Sequence, residues 1–370
     1  MVDIEISEGK RARTAYSFDD VSIVPSRRTR EPQDVSLNWQ IDAYRFDLPL
    51  MAAPMDSVVS PETAIAIGRL GGLGVLNLEG LWTRYENPKI QLGEISSIPA
   101  DQATARMQEL YKAPIRPELI KERIAEIRAA GVTVAGALSP QRTAEFHKAV
   151  VDAGVDLFVI RGTTVSAEHV STKTEPLNLK KFIYELDVPV VVGGCATTQS
   201  ALHLMRAGAA GVLVGFGGGA AHTTRQVLGI SVPMATAVAD VAAARRQYLD
   251  ESGGRYVHVI ADGSIGKSGD ISKAIACGSD AVMLGSPLAR ADEAPGRGWH
   301  WGSEAHHSEL PRGTRVHVGT SGSLEEILVG PSHSADGTMN LFGALRRAMA
   351  TCGYSELKEF QRVEIVLNKG

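Results

Sequence analysis

The sequence predicts an α/β protein of the (β/α)8 TIM-barrel class. Three observations carry that expectation. Eight short apolar runs recur along the 370 residues without polar alternation, the mark of strands buried on both faces. An amphipathic stretch separates most consecutive runs, so the strands are parallel and joined by crossover helices. Finally, helix after helix closes on a glycine just before the next run, a weak internal repeat seen at Ala130-Gly131-Val132, Ala153-Gly154-Val155, Ala207-Gly208-Ala209 and Cys277-Gly278-Ser279. About eight such units in a chain of this length favour a closed barrel over an open doubly wound sheet. The competing dinucleotide-binding reading rests on Gly215-Phe216-Gly217-Gly218-Gly219, which lies at the sixth run with the wrong glycine spacing.

Taken in order, residues 1–45 are polar and irregular, with a short strand around Val21–Pro25. Strands are expected over Leu48–Met55, Leu73–Leu76, Val132–Ala137, Leu157–Ile160, Val188–Val192, Gly211–Phe216, Val257–Ala261 and Ala281–Leu284. Ser60-Pro61 and Ser139-Pro140 each read as a helix N-cap followed by a first-turn proline. Gly71, Gly131, Gly154, Gly208 and Gly278 read as helix ends. Two segments interrupt the repeat, Leu81–Glu118 after the second strand and Arg290–Thr320 after the eighth. An amphipathic helix over Asn340–Tyr354 and a short strand over Val363–Leu367 end the chain. The expected organisation is one domain over 1–370. Its barrel core spans about 46–290, an active-site flap about 290–320, and the closing helix and strand 340–370.

A net charge of −4 offers no basic field for nucleic acid or a membrane surface. No apolar run reaches the roughly 18–20 residues that span a bilayer, and the N-terminus lacks a signal-peptide pattern. Cys195, Cys277 and Cys352 are too scattered for a disulfide framework or a zinc knuckle. A soluble cytoplasmic protein is expected.

In such a barrel the loops following the strands share one face, and that face holds the site. Four loops stand out: Ala53–Ser57, the glycine loop ending in His222, Thr223, Thr224 and Arg225, the stretch Asp262–Asp270, and Gly285-Ser286. Gly263, Gly285 and Ser286 supply backbone donors for a phosphate, and the Asp262 carboxylate suits a ribose diol; the plainer alternative makes Asp262-Gly263 a simple turn. His222 is either a general base or metal ligand, or a solvent-facing loop histidine. Thr224 either caps a helix or touches substrate, and Arg225 reads as the first solvated residue of that helix. His222, Cys195, His306 and His307 lack ligand spacing on one helix, so no metal site is assigned. Trp299-His300-Trp301 reads as loop packing.

At these loops the chain resembles the IMP dehydrogenase / GMP reductase family. The resemblance is carried by Phe18–Val21, Pro49–Ser57, Gly71–Gly74, the glycine loop with Thr223-Thr224-Arg225, Ile260–Gly263, Ser268–Ile271, Ala281–Ser286 and Gly322–Glu325. It implies a TIM barrel, usually tetrameric, that converts purine nucleoside monophosphates of the IMP, XMP and GMP class with NAD or NADP, and a monovalent cation such as K+. Many members insert a pair of CBS modules after strand two. The Leu81–Glu118 excursion is shorter than the roughly 50 residues a domain needs, so no CBS pair is expected.

By resemblance, Asp262 binds the ribose hydroxyls and Gly263, Gly285, Ser286, Gly302 and Ser303 surround the phosphate; Met55 and Gly219 complete the substrate-binding set. The catalytic set falls on His222, Thr224 and Arg312. His222 stands where the family keeps the cysteine that bonds to purine C2, and Ala220 where it keeps a phosphate-contacting serine. Arg161 stands at the position of the aspartate that holds the cofactor ribose, and Arg312 at the Glu or Gln that pairs with the loop threonine. The resemblance therefore implies two alternatives: NAD-dependent oxidation of IMP to XMP, with Cys195 on the rim after strand five as a remote thiol, or a purine-nucleotide-binding regulatory paralogue without turnover. A third reading gives Arg161 and Arg312 a second anion in place of the nicotinamide ribose.

Overall fold

Eight parallel strands close on themselves in a computed structural model that describes residues 3–166, 169–170, 177–216 and 218–368. In chain order the barrel alternates β1 (Leu50–Ala52), α1 (Pro61–Arg69), β2 (Leu73–Asn77), α2 (Pro117–Ala129), β3 (Ala135–Leu138), α3 (Pro140–Asp152), β4 (Leu157–Arg161) and α4 (Leu179–Tyr184). It continues with β5 (Val190–Cys195), α5 (Thr198–Arg206), β6 (Gly211–Val214), α6 (Met234–Glu251), β7 (His258–Asp262), α7 (Ser268–Ala276) and β8 (Ala281–Leu284). Val282 lies opposite Leu50 and Leu284 opposite Ala52, and this pairing shuts the ring. Helix α8 (Leu341–Thr351) packs on α7.

The strands lack alternation because both faces are covered, the inner by barrel side chains and the outer by helices. Every residue of β1, β3, β5, β6 and β8 is buried. Helix boundaries follow local chemistry. The Ser60 side chain accepts from Thr63 N at 3.0 Å ahead of Pro61, and that of Ser139 accepts from Arg142 N at 3.3 Å ahead of Pro140. The predicted helix-ending glycines all hold positive φ, from 74° at Gly131 to 116° at Gly278.

The two interruptions meet over the C-terminal mouth. The first contains helices Lys89–Ser97 and Ala100–Leu110, where the sequence suggested only a polar excursion. The Arg315 guanidinium, from the second, donates to the carbonyls of Ile95 and Ile98 and lies 4.0 Å over the Trp299 ring. Gln108 Nε2 donates to the His307 carbonyl at 2.7 Å. At the other end of the barrel Asp280, 1% exposed, accepts from Arg245 Nη1, Tyr256 OH and Val259 N, each at 2.8 Å, and from Lys358. The chain's two ends also meet: Val21–Ile23 pairs antiparallel with Ile365–Leu367. Among the described residues no helix is long and apolar enough to cross a membrane.

Candidate functional site

Two hollows share the C-terminal mouth. The smaller, about 30 Å³, gathers Met55, Gly219, Asp262, Gly263, Gly285 and Ser286, with Arg161, His222 and His300 in its wall. The larger, about 610 Å³, opens over the ends of β2, β3 and β4. Met55 and Arg161 line both, while Gly302 and Ser303 line only the larger one.

The glycine loop roofs the small pocket because its residues fit where side chains would not. Gly215 has φ 136°, and a Cβ there would lie 2.1 Å from the Asp262 carbonyl oxygen. At Gly218 a Cβ would lie 2.1 Å from Ser264 Oγ. Gly217 lies outside the described residues. Ala220 N donates to Ser286 Oγ at 3.2 Å, which ties this loop to the one after β8. Helix Thr224–Leu228 follows, with Thr223 in the capping position but no side-chain cap bond. Thr224 is fully buried, and its hydroxyl and that of Thr223 have no partner among the described residues. Arg225 is exposed, as the sequence suggested.

Charge is concentrated on Arg161 at the end of β4. Its Nε donates to Asp262 Oδ2 at 3.2 Å, and its Nη2 lies 3.4 Å from His222 Nε2. His222 is thus a wall residue rather than a solvent-facing one. Burial pushes its pKa down and the Arg161 and Arg312 charges do likewise, while Glu304 and Asp262 pull it up; the net direction favours the neutral ring. A neutral ring accepting from Arg161 through Nε2 carries its proton on Nδ1, and that nitrogen is buried without a partner among the described residues. Arg312 reaches Thr163 Oγ1 at 3.2 Å and sits 3.8 Å from the buried Glu304 carboxylate, with its Nε unpartnered among the described residues. Below the pocket, Ser57 Oγ and His300 Nδ1 are 3.0 Å apart. His300 is 1% exposed, and burial, assisted by His222, lowers its pKa to about 3.

The wall of the larger cavity is built on Asp56. Its Oδ2 accepts from Tyr111 OH at 2.5 Å and from Leu81 N at 2.9 Å. Burial raises the Asp56 pKa against the pull of those bonds. Tyr111 accepts in turn from Trp301 Nε1 at 2.9 Å and stacks on His306 at 3.5 Å. Trp301 is therefore loop packing, as its sequence context suggested.

The fold brings Met55, Gly219, Asp262, Gly263, Gly285 and Ser286 to one pocket, leaves Gly302 and Ser303 on the larger cavity, and splits the catalytic set. His222 lines the small pocket, Thr224 is buried, and Arg312 lies with Glu304 and Thr163. Cys195 is corrected: it is the last residue of β5, fully buried, donates to the Leu213 carbonyl, and burial raises its thiol to about 12. It is an inert structural thiol, not a rim residue. Among the described residues no group of three or more His, Cys, Asp or Glu is arranged to hold a metal. Sequence reasoning missed Glu304, Asp56 and Tyr111. The only signal for Glu304 was an acid directly after Gly302-Ser303.

Comparison with known proteins identifies this arrangement. Residues 15–309 match the IMP dehydrogenase / GMP reductase domain. A crystal structure of an IMP dehydrogenase/GMP reductase-like protein from Corynebacterium glutamicum superposes with a TM-score of 0.94 at 52% identity, covering 99% of this chain and 98% of that one. An uncharacterized oxidoreductase of Mycolicibacterium smegmatis is 55% identical over 98% of this chain and 99% of its own. Inosine-5'-monophosphate dehydrogenase of Methanocaldococcus jannaschii is 28% identical over 95% of this chain and 92% of its own. With the closed eight-stranded barrel and the loops at its mouth, these likenesses show that the chain belongs to the IMP dehydrogenase / GMP reductase family.

Proposed function

We propose that this protein binds a purine nucleoside monophosphate at the C-terminal mouth of its barrel and does not carry out the redox reaction through the family's covalent route. The observation that carries the first half is the convergence of Asp262, Gly263, Gly285 and Ser286 with the glycine loop around one pocket. Asp262 accepts from the two ribose hydroxyls. Gly263, Gly285 and Ser286, joined by Gly302 and Ser303 across the mouth, surround the phosphate with small residues and backbone N–H groups. Met55 and Gly219 lie against the base.

The second half rests on position 222. A cysteine thiolate is both nucleophile and leaving group, whereas a neutral imidazole held by Arg161 is a hydrogen-bond donor at Nδ1. Loss of an essential nucleophile costs roughly 10⁴-fold or more in rate. The residues also do not fit a nicotinamide cofactor. A ribose diol needs an acceptor, and Arg161, at the position the resemblance gives to the cofactor ribose, offers only donors and already holds Asp262.

Calorimetric titration of the full chain with IMP, XMP and GMP tests the reading. A dissociation constant below millimolar for at least one is expected, without NADH formation from IMP and NAD. Absence of binding to all three refutes nucleotide recognition. Steady turnover by the natural protein refutes the loss of the reaction. The His222→Cys variant reports whether the rest of the site still supports oxidation of IMP.

A further inference from the structure

His222 presents a hydrogen-bond donor that the protein itself does not use. Arg161 Nη2, 3.4 Å from Nε2, fills the acceptor side of the ring, which leaves the proton on Nδ1. That nitrogen is buried and has no partner among the described residues. The buried Glu304 carboxylate sits 3.8 Å from Arg312 and makes no hydrogen bond to it. A buried donor without an acceptor is destabilising, and a ligand that brings an acceptor removes that cost.

The ring is also held in this one form. Arg161 Nε donates to Asp262 Oδ2 at 3.2 Å, and a carboxylate has lone pairs enough for this guanidinium and a ribose diol together, so Arg161 stays in place when a nucleotide binds. Moving the proton to Nε2 would set one donor against another, because a guanidinium cannot accept. His222 and Gly219 both line the small pocket, and Nδ1 faces the bare side of Gly219. A Cβ there would lie 3.2 Å from Nδ1 and 3.6 Å from Ser286 Oγ, so glycine leaves to a ligand the space that a side chain would fill.

The three nucleotides of the proposed function differ only at purine C2, the atom beside which that reading sets position 222. IMP carries a hydrogen there, GMP an amino group and XMP a carbonyl oxygen. The hydrogen leaves the His222 donor unpaired, and the amino group opposes it with a second donor. We propose that the nucleotide is XMP, selected over IMP and GMP by a hydrogen bond from His222 Nδ1 to the C2 carbonyl oxygen, with Arg161 as the positioning residue that fixes the ring. This rests on the nucleotide reading above and names its base.

Calorimetric titration of the full chain with XMP, IMP and GMP, at one pH and ionic strength, is the test. XMP is expected to bind about tenfold or more tighter than either of the others. In His222→Leu, XMP falls to the level of IMP. In His222→Asn a donor remains, so XMP still exceeds IMP, while GMP rises toward XMP because a carboxamide can turn its oxygen to the amino group. Nitrogen NMR of the XMP complex, with labelled histidine, should show the His222 proton on Nδ1. Affinities for the three nucleotides within about threefold of one another overturn the proposal, as does an XMP preference that survives in His222→Leu or a ring protonated on Nε2 alone. Failure of XMP, IMP and GMP to bind at all removes the nucleotide reading and this one with it, whereas binding without preference removes this one alone.

Discussion

Mild acid should loosen this protein through histidines at both ends of the barrel. Besides His222, three imidazoles are held neutral by the fold. Burial depresses His300 and His306 to about 3, with Arg84 adding to the effect on His306. Burial depresses His258 to about 4, with Asp280 opposing and Lys358 and Arg245 assisting. Each native pKa lies below the unfolded value of about 6.5, so the unfolded chain takes up protons first. Stability is therefore complete above about pH 6.5 and is lost as pH falls toward 3–4. Between pH 7 and 5 each histidine costs about 2 kcal/mol, so the three together cost about 5–6 kcal/mol. Asp280, held near 2 because Arg245 and Lys358 outweigh its burial, is lowered from its usual value and loses its contribution only as pH drops below about 4, outside this window. At roughly 2.1 cal/mol/K per residue, unfolding 370 residues releases about 0.8 kcal/mol/K, so Tm should fall by about 7 °C. Scanning calorimetry at pH 7, 6 and 5 and constant ionic strength measures this. A Tm constant within about 2 °C, or NMR titration of these rings with midpoints near 6.5, would refute the reasoning.

Other outcomes follow from the same structure. Asp262→Asn should weaken IMP binding by roughly 30-fold or more, since a charge-assisted pair of hydrogen bonds contributes about 2–3 kcal/mol, and an unchanged titration would show that the ribose lies elsewhere. Asp280→Ala leaves the buried Arg245 without its counter-ion and should cost about 3–5 kcal/mol, a Tm drop of about 4–6 °C by thermal melt; a change under 1 °C would mean the network is dispensable. Iodoacetamide should leave Cys195 unlabelled in the native protein, and mass spectrometry detecting early modification there would contradict its burial.

The barrel was legible because its signals are local. Helix-ending glycines, serine–proline starts and unbroken apolar runs each reflect a backbone requirement within a few residues. The errors occur where tertiary contact overrides such signals. The first strand ends at Ala52, not Met55, because Met55 N turns back to the Ala53 carbonyl. The fifth runs on through Gly193 and Gly194 to Cys195, two glycines that resemble a turn but serve close packing: a Cβ on Gly193 would lie 2.4 Å from that of Leu213. This is why Cys195 was expected on the rim. Asp262, Gly263, Gly285 and Ser286 were readable because strand ends fix them. Glu304, Asp56 and Tyr111 were not, because their meeting depends on how two long segments cross the mouth, guided by contacts such as Arg315 with Ile95 and Ile98.

The pairing of Val21–Ile23 with Ile365–Leu367 makes two segments on either side of the barrel in sequence depend on each other. Neither strand has another partner in the described residues, so the staple cannot form until the barrel between them has brought both to one place. Asn368 N donating to the Asp20 carbonyl at 2.8 Å extends the same staple. Cutting the chain before Ile365 should keep a barrel but expose residues 15–25 to protease, so that the order of one segment is read in the protease resistance of the other.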